Sequence, residues 1–138
     1  MAKKKSLLQE RVVYKPFEYQ QAADYWLKQH QAHWLHTEVP MMSDLTDWNS
    51  NLSETEKNII GSILKGFAQT ETVVNDYWSG LVTKWFRKPE VIAMATTFGA
   101  FETIHAEAYS LLNETLGLDD FAEFMEDEAT MALSLIHI

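Results

Sequence analysis

Apolar residues return every three or four positions along most of this chain, a spacing that predicts helices. The clearest run follows Ser53. Ile59, Ile60, Ile63, Leu64, Phe67 and Val74 form one stripe, predicting a long helix from Glu54 to about Leu81. Ser53 and Glu56 stand in the S-E-T-E order of a capping box, in which each side chain satisfies the other residue's backbone N–H. A second long helix is predicted from Pro89 to about Leu116. Proline suits the first helical position, where its missing N–H is not needed, and Gly117 suits the stop.

Shorter elements flank these two. Tyr19, Ala22, Ala23, Trp26 and Leu27 keep helical spacing and predict a helix over Phe17 to His36. Pro40 disfavours a helical Val39 and turns the chain out of it. Residues 41 to 52 are expected to form a loop with helical turns at most. Phe121, Phe124 and Met125 predict a further helix over Asp119 to Leu133, and residues 1 to 15 an extended arm. The reading is one all-α unit over residues 16 to 138. The last residues, Leu133 to Ile138, stop inside an apolar stretch with no cap, so a truncated or split bundle is expected.

Composition narrows the chemistry. The 138 residues carry a net charge of -9, which argues against a nucleic-acid backbone as partner. There are no cysteines, which excludes disulfides, thiolate nucleophiles, iron–sulfur clusters and zinc–thiolate sites. Any metal must be held by oxygen and nitrogen, donors that suit iron, manganese, magnesium or calcium. No run approaches the roughly 18 apolar residues of a membrane span, and the lysine-bearing N-terminus lacks the apolar core of a signal peptide. A cytoplasmic location is expected.

The candidate chemistry lies in Phe101-Glu102-Thr103-Ile104-His105-Ala106-Glu107-Ala108-Tyr109. Glu102 and His105 are three apart, so one helical face presents a carboxylate and an imidazole together, with Tyr109 one turn further on. Phe98, Ala100, Phe101, Ile104, Ala108, Leu111 and Leu112 surround them, and a carboxylate among apolar groups is costly unless paired or metal-bound. Dimetal bundles use this Glu-x-x-His pair with a lone carboxylate from a neighbouring helix, and Glu71 is the candidate for that carboxylate. The same residues also fit a surface pair, a satisfied core histidine and an ordinary packing tyrosine.

FETIHAEAY, the preceding LKGFAQTE and the upstream HWLHTEVP together resemble the N-terminal half of the class I ribonucleotide reductase small subunit, over roughly residues 15 to 132. The resemblance implies a ferritin-like helical bundle. It places Glu71 as first carboxylate ligand, Glu102 as the carboxylate bridging two metals and His105 as the histidine of the first metal. Tyr109 becomes the radical-bearing tyrosine, and Trp34 the aromatic residue associated with electron transfer. It further implies two iron ions, a radical passed to a large catalytic subunit that reduces ribonucleotides, and a homodimer of the complete protein.

One departure concerns the metal. The family most often has aspartate where this chain has Glu71. Glutamate there also occurs in manganese/iron members, which usually lack the tyrosine that this chain retains as Tyr109, so Mn/Fe or Mn/Mn stay open beside Fe/Fe. The second metal's ligands, another lone carboxylate and a second Glu-x-x-His, have no match in these residues. Two other readings are kept. One is a different ferritin-like dimetal oxidase or iron-binding protein, which would need neither Tyr109 nor the Trp34 segment. The other is a helical interaction module in which the three ligand candidates meet by chance.

Overall fold

The computed structural model describes residues 6–118 and 120–128. All regular structure among them is helical. In chain order it comprises α1 (Gln20–Gln31), α2 (Asp44–Ser50), α3 (Glu54–Asp76), α4 (Thr83–Trp85), α5 (Pro89–Thr115) and α6 (Phe121–Glu126). Single 3-10 turns at His36–Glu38 and Met41–Ser43 precede α2, and a π-helical turn at Tyr77–Val82 joins α3 to α4.

The long helices start and stop as their local chemistry dictates. At the head of α3, Ser53 N–H donates to Glu56 Oε2 at 2.8 Å while Glu56 N–H donates to Ser53 Oγ at 3.3 Å. That reciprocal pair is the predicted capping box. At the tail of α5, Gly117 takes φ +76, Leu118 N–H donates to Asn113 O at 2.8 Å and Gly117 N–H to Glu114 O at 3.1 Å. These two bonds make a Schellman stop, which requires the left-handed conformation that glycine adopts without penalty.

Three expectations need correction. The first helix is shorter than Phe17 to His36: it spans Gln20–Gln31, and a separate 3-10 turn takes up His36. Glu38 ends that turn by accepting a bond from Leu35 N–H at 3.1 Å, which competes with helical pairing of the segment. The expected loop over 41 to 52 contains a two-turn helix, α2, which buries Trp48. In the stretch expected to be helical over Asp119 to Leu133, Phe121–Glu126 is a helix that the chain leaves at Asp127. Asp119 and residues 129 to 133, also expected in it, lie outside the described residues, as do the lysines at 3 to 5.

The described residues divide into two compact units, one of 6–34 and 73–103, the other of 35–72, 104–118 and 120–128. Two of the three boundaries fall within helices, α3 after Thr72 and α5 after Thr103, and the third falls in the link after Trp34. In the first unit Ala22, Val82, Val91 and Ala95 form the core, with Leu7, Tyr19, Trp78, Phe86 and Met94 packed on it. A charged knot lies beside it. Glu90 is 1% exposed and accepts bonds from Glu18 N–H at 2.9 Å and Tyr19 N–H at 3.1 Å, while the Arg11 guanidinium pairs with its second oxygen. Lys88 reaches Glu18 at 2.8 Å. Arg11 also donates to Tyr14 O at 3.0 Å, so residues 6 to 15, which hold no helix, are tied down by it.

In the second unit Met41, Trp48 and Ala68 are buried. Lys65 on α3 is buried with its ammonium 2.5 Å from Asp120 Oδ1, just ahead of α6. Ile59, Ile63 and Phe67, the centre of the predicted stripe on α3, are about half exposed, at 56%, 49% and 47%.

Candidate metal centre

Glu102 and His105 stand one turn apart on α5, as their spacing requires. Glu71 lies on α3, and its Oε2 is 3.9 Å from His105 Nδ1. Taking one donor atom from each, the ligand atoms of Glu71, Glu102 and His105 all lie within 4.8 Å of one another. Oxygen and nitrogen donors sit roughly 2.0–2.6 Å from hard divalent cations, so donors sharing one ion lie no more than about 5 Å apart. The cluster meets that condition, and two carboxylates with one imidazole is a donor set for iron or manganese. The residues present therefore fit a metal ion.

The three ligand candidates are half-buried rather than buried, with the His105 and Glu71 side chains 36% and 16% exposed. Full burial of Glu102 and His105 was the expectation from their apolar neighbours. A bundle site is enclosed by four long helices. The described residues contain two, α3 and α5, which leaves these side chains partly open to water.

Tyr109 is on α5, one turn beyond His105, and half-buried. Its ring lies 5.2 Å from that of Phe67 on α3, and its carbonyl accepts a bond from Asn113 Nδ2 at 2.7 Å. Trp34 is half-buried in the link between α1 and the first 3-10 turn. The rings of Phe98 and Phe101 are engaged elsewhere, Phe98 against Trp78 at 4.9 Å and Phe101 against His33 at 5.5 Å.

Sequence reasoning missed Asn75, one turn after Glu71. Its Nδ2 donates to Gly99 O at 2.6 Å and to Thr103 Oγ1 at 3.0 Å, joining α3 to α5. An amide one turn from a candidate ligand, with glycine in the facing helix, was the signal available.

Residues 11–132 match the family described as "Ribonucleotide reductase, small chain". The chain belongs to the ribonucleotide reductase small-chain family. It is 36% identical over 122 residues to the "Probable ribonucleoside-diphosphate reductase small subunit 376L" of Invertebrate iridescent virus 6, covering 87% of this chain and 34% of that protein. It is 39% identical over 127 residues to small subunit 048L of Invertebrate iridescent virus 3, covering 89% and 33%. The small chain 1 of Saccharomyces cerevisiae is 29% identical over 121 residues. This small-chain sequence thus spans about a third of the length of the viral relatives.

The fold is shared with the crystal structure of dimanganese(II)-NrdF of Streptococcus sanguinis, at a TM-score of 0.81 and 24% identity over 93% of this chain and 47% of that one. The fold is therefore ferritin-like and all-helical, as the resemblance implied. Among the described residues, no helix is long and apolar enough to cross a membrane.

Proposed function

We propose that this chain supplies part of the dimetal, radical-generating centre of a ribonucleoside-diphosphate reductase small subunit, on a ferritin-like domain over residues 16 to 138. The observation that carries the proposal is the three-donor cluster of Glu71, Glu102 and His105 with Tyr109 one turn away on the same helix. Glu71, Glu102 and His105 would hold metal, and the family resemblance gives Glu102 the role of serving both ions. The ions are iron, with manganese at one or both positions as the variant that Glu71 keeps open. Metal held there, once oxidised by dioxygen, would supply the oxidising power to remove one electron and one proton from a nearby phenol.

The chain's own residues hold and protect. Glu71 and Glu102 offset the cation's charge, and His105 donates a neutral ring nitrogen. Tyr109 is the phenol that would be oxidised. The Phe67 ring packs beside it, with centroids 5.2 Å apart. Trp34 serves as a relay for electrons. The same reading brings a large catalytic subunit as partner, a homodimer, and a cytoplasmic location.

A chimaera tests this. Residues 11–132 replace the matching segment of the Invertebrate iridescent virus 6 relative, which supplies the rest of a small subunit. After loading with ferrous iron and exposure to oxygen, the chimaera should show a tyrosyl electron paramagnetic resonance signal. Tyr109→Phe should abolish it and leave metal uptake intact. Metal uptake without a radical would favour a different ferritin-like carboxylate protein, and a radical that survives Tyr109→Phe would overturn the assignment of Tyr109.

A further inference from the structure

Asn75 sits four residues after Glu71 on α3, and its side chain reaches α5 on both sides of Glu102. Its Nδ2 donates to Gly99 O at 2.6 Å, three residues before Glu102, and to Thr103 Oγ1 at 3.0 Å, the residue directly after it. The amide is itself oriented. Ser79 Oγ–H donates to Asn75 Oδ1 at 3.2 Å and to Asn75 O at 2.8 Å, which fixes the amide with its NH2 toward α5. Ser79 belongs to the π-helical turn that begins at Tyr77, and such turns leave the regular i−4 ladder for one turn.

Gly99 makes the contact close. A Cβ added there would meet Ser79 Cβ at 3.2 Å and Asn75 O at 3.5 Å, so the two helices approach backbone to side chain with no room to spare. Asn75 is half-buried and Gly99 buried, so the bond between them is partly shielded from competing water, while the bonds to Thr103 and from Ser79 lie at the surface. A bond that locks two helices within one turn of a ligand on each of them fixes both their separation and their register. A register slip of one residue would rotate a ligand by about 100° around its helix.

We propose that Asn75 is a positioning residue for the metal centre: the Ser79–Asn75–Gly99/Thr103 clasp holds α3 against α5 so that Glu71, Glu102 and His105 converge on one ion. This rests on the metal reading of those three side chains. Asn75 itself touches no metal. Its contribution is that the donors are already gathered before a cation arrives, so less ordering is needed on binding.

The test is a Mn(II) titration of the 138-residue chain, read by electron paramagnetic resonance of free and bound ion, beside thermal melting by circular dichroism. Asn75→Ala should weaken binding by about ten- to a hundredfold, the range for residues that orient metal ligands. Thr103→Val should weaken it in the same direction, while Thr103→Ser, which keeps the hydroxyl, should bind as wild type. Gly99→Ala, which keeps every donor but crowds Ser79, should also weaken it.

Lys65→Met serves as the control. It breaks the Lys65–Asp120 pair, lowers the melting temperature and should leave Mn(II) affinity unchanged. Wild-type affinity in Asn75→Ala would overturn the clasp alone. A loss in Lys65→Met equal to that in Asn75→Ala would also overturn it, since any destabilisation would then suffice. A wild-type chain that binds no Mn(II) would remove the metal reading and the clasp's role together.

Discussion

Glu71 and His105 face each other from two different helices, carboxylate oxygen to ring nitrogen at 3.9 Å. The two residues are far apart in the sequence, and the contact exists because α3 and α5 are each unbroken through the region. If one ion spans this gap, the two side chains act as a unit. Glu71→Gln and His105→Ala should then each weaken Mn(II) binding by about tenfold or more. The double variant should lose much less than the product of the two, because neighbouring residues in one site are not additive. Independent, multiplicative losses measured in calorimetric titrations would show that the two side chains do not share an ion.

The knot at Glu90 predicts a pH dependence of stability. Burial, the largest influence, pushes its carboxyl up, but the backbone amides around it, at Glu90, Glu18 and Tyr19, and the Arg11 guanidinium outweigh that and hold it below the ordinary 4.5. A carboxylate whose folded value is depressed stabilises the fold above its unfolded value and loses that contribution as pH falls through the folded one. The melting temperature should therefore fall as pH drops below about 4.5, with part of the slope due to Glu90. Glu90→Gln should lower stability at neutral pH by about 1–3 kcal/mol, because it leaves the partly buried Arg11 without its counter-charge. It should also flatten the acid slope. A variant with the wild-type slope would assign the acid sensitivity to other groups.

Ile59, Ile63 and Phe67 present a half-exposed apolar stripe along α3. Contiguous exposed apolar surface favours association. Sedimentation of the 138-residue chain should show concentration-dependent self-association. Ile59→Lys with Ile63→Glu should reduce it without lowering helicity, since both positions face water already. A monomer at all concentrations would mean the stripe is too small or too interrupted to act.

Much of this was legible in the sequence because it is local. The capping box at Ser53 and Glu56, Pro89 at a helix start and Gly117 at a stop are each set by neighbouring residues. The pairing of Glu102 with His105 follows from helical spacing alone. Glu71 stood out as a lone carboxylate on the preceding helix, and the family resemblance pointed to the same residue. What was missed depends on contacts between distant segments. Nothing in the residues next to Lys88 and Glu90 announces that they pair with Glu18 and Arg11. Asn75 read as one polar residue in a helix, yet it bridges to Gly99 and Thr103. The degree of burial of Glu102 and His105 was overestimated because apolar neighbours along one helix do not enclose a side chain; other helices must.

The central claim is that Glu71, Glu102 and His105 form a metal-binding cluster, and Glu102 tests it most directly. Glu102→Gln has nearly the same shape and should leave the helical circular dichroism spectrum unchanged, but it replaces a carboxylate with an amide that binds hard cations poorly. In a Mn(II) titration followed by electron paramagnetic resonance, the wild-type chain should take up the ion saturably and Glu102→Gln should lose that uptake. Equal binding by the two proteins would contradict the account.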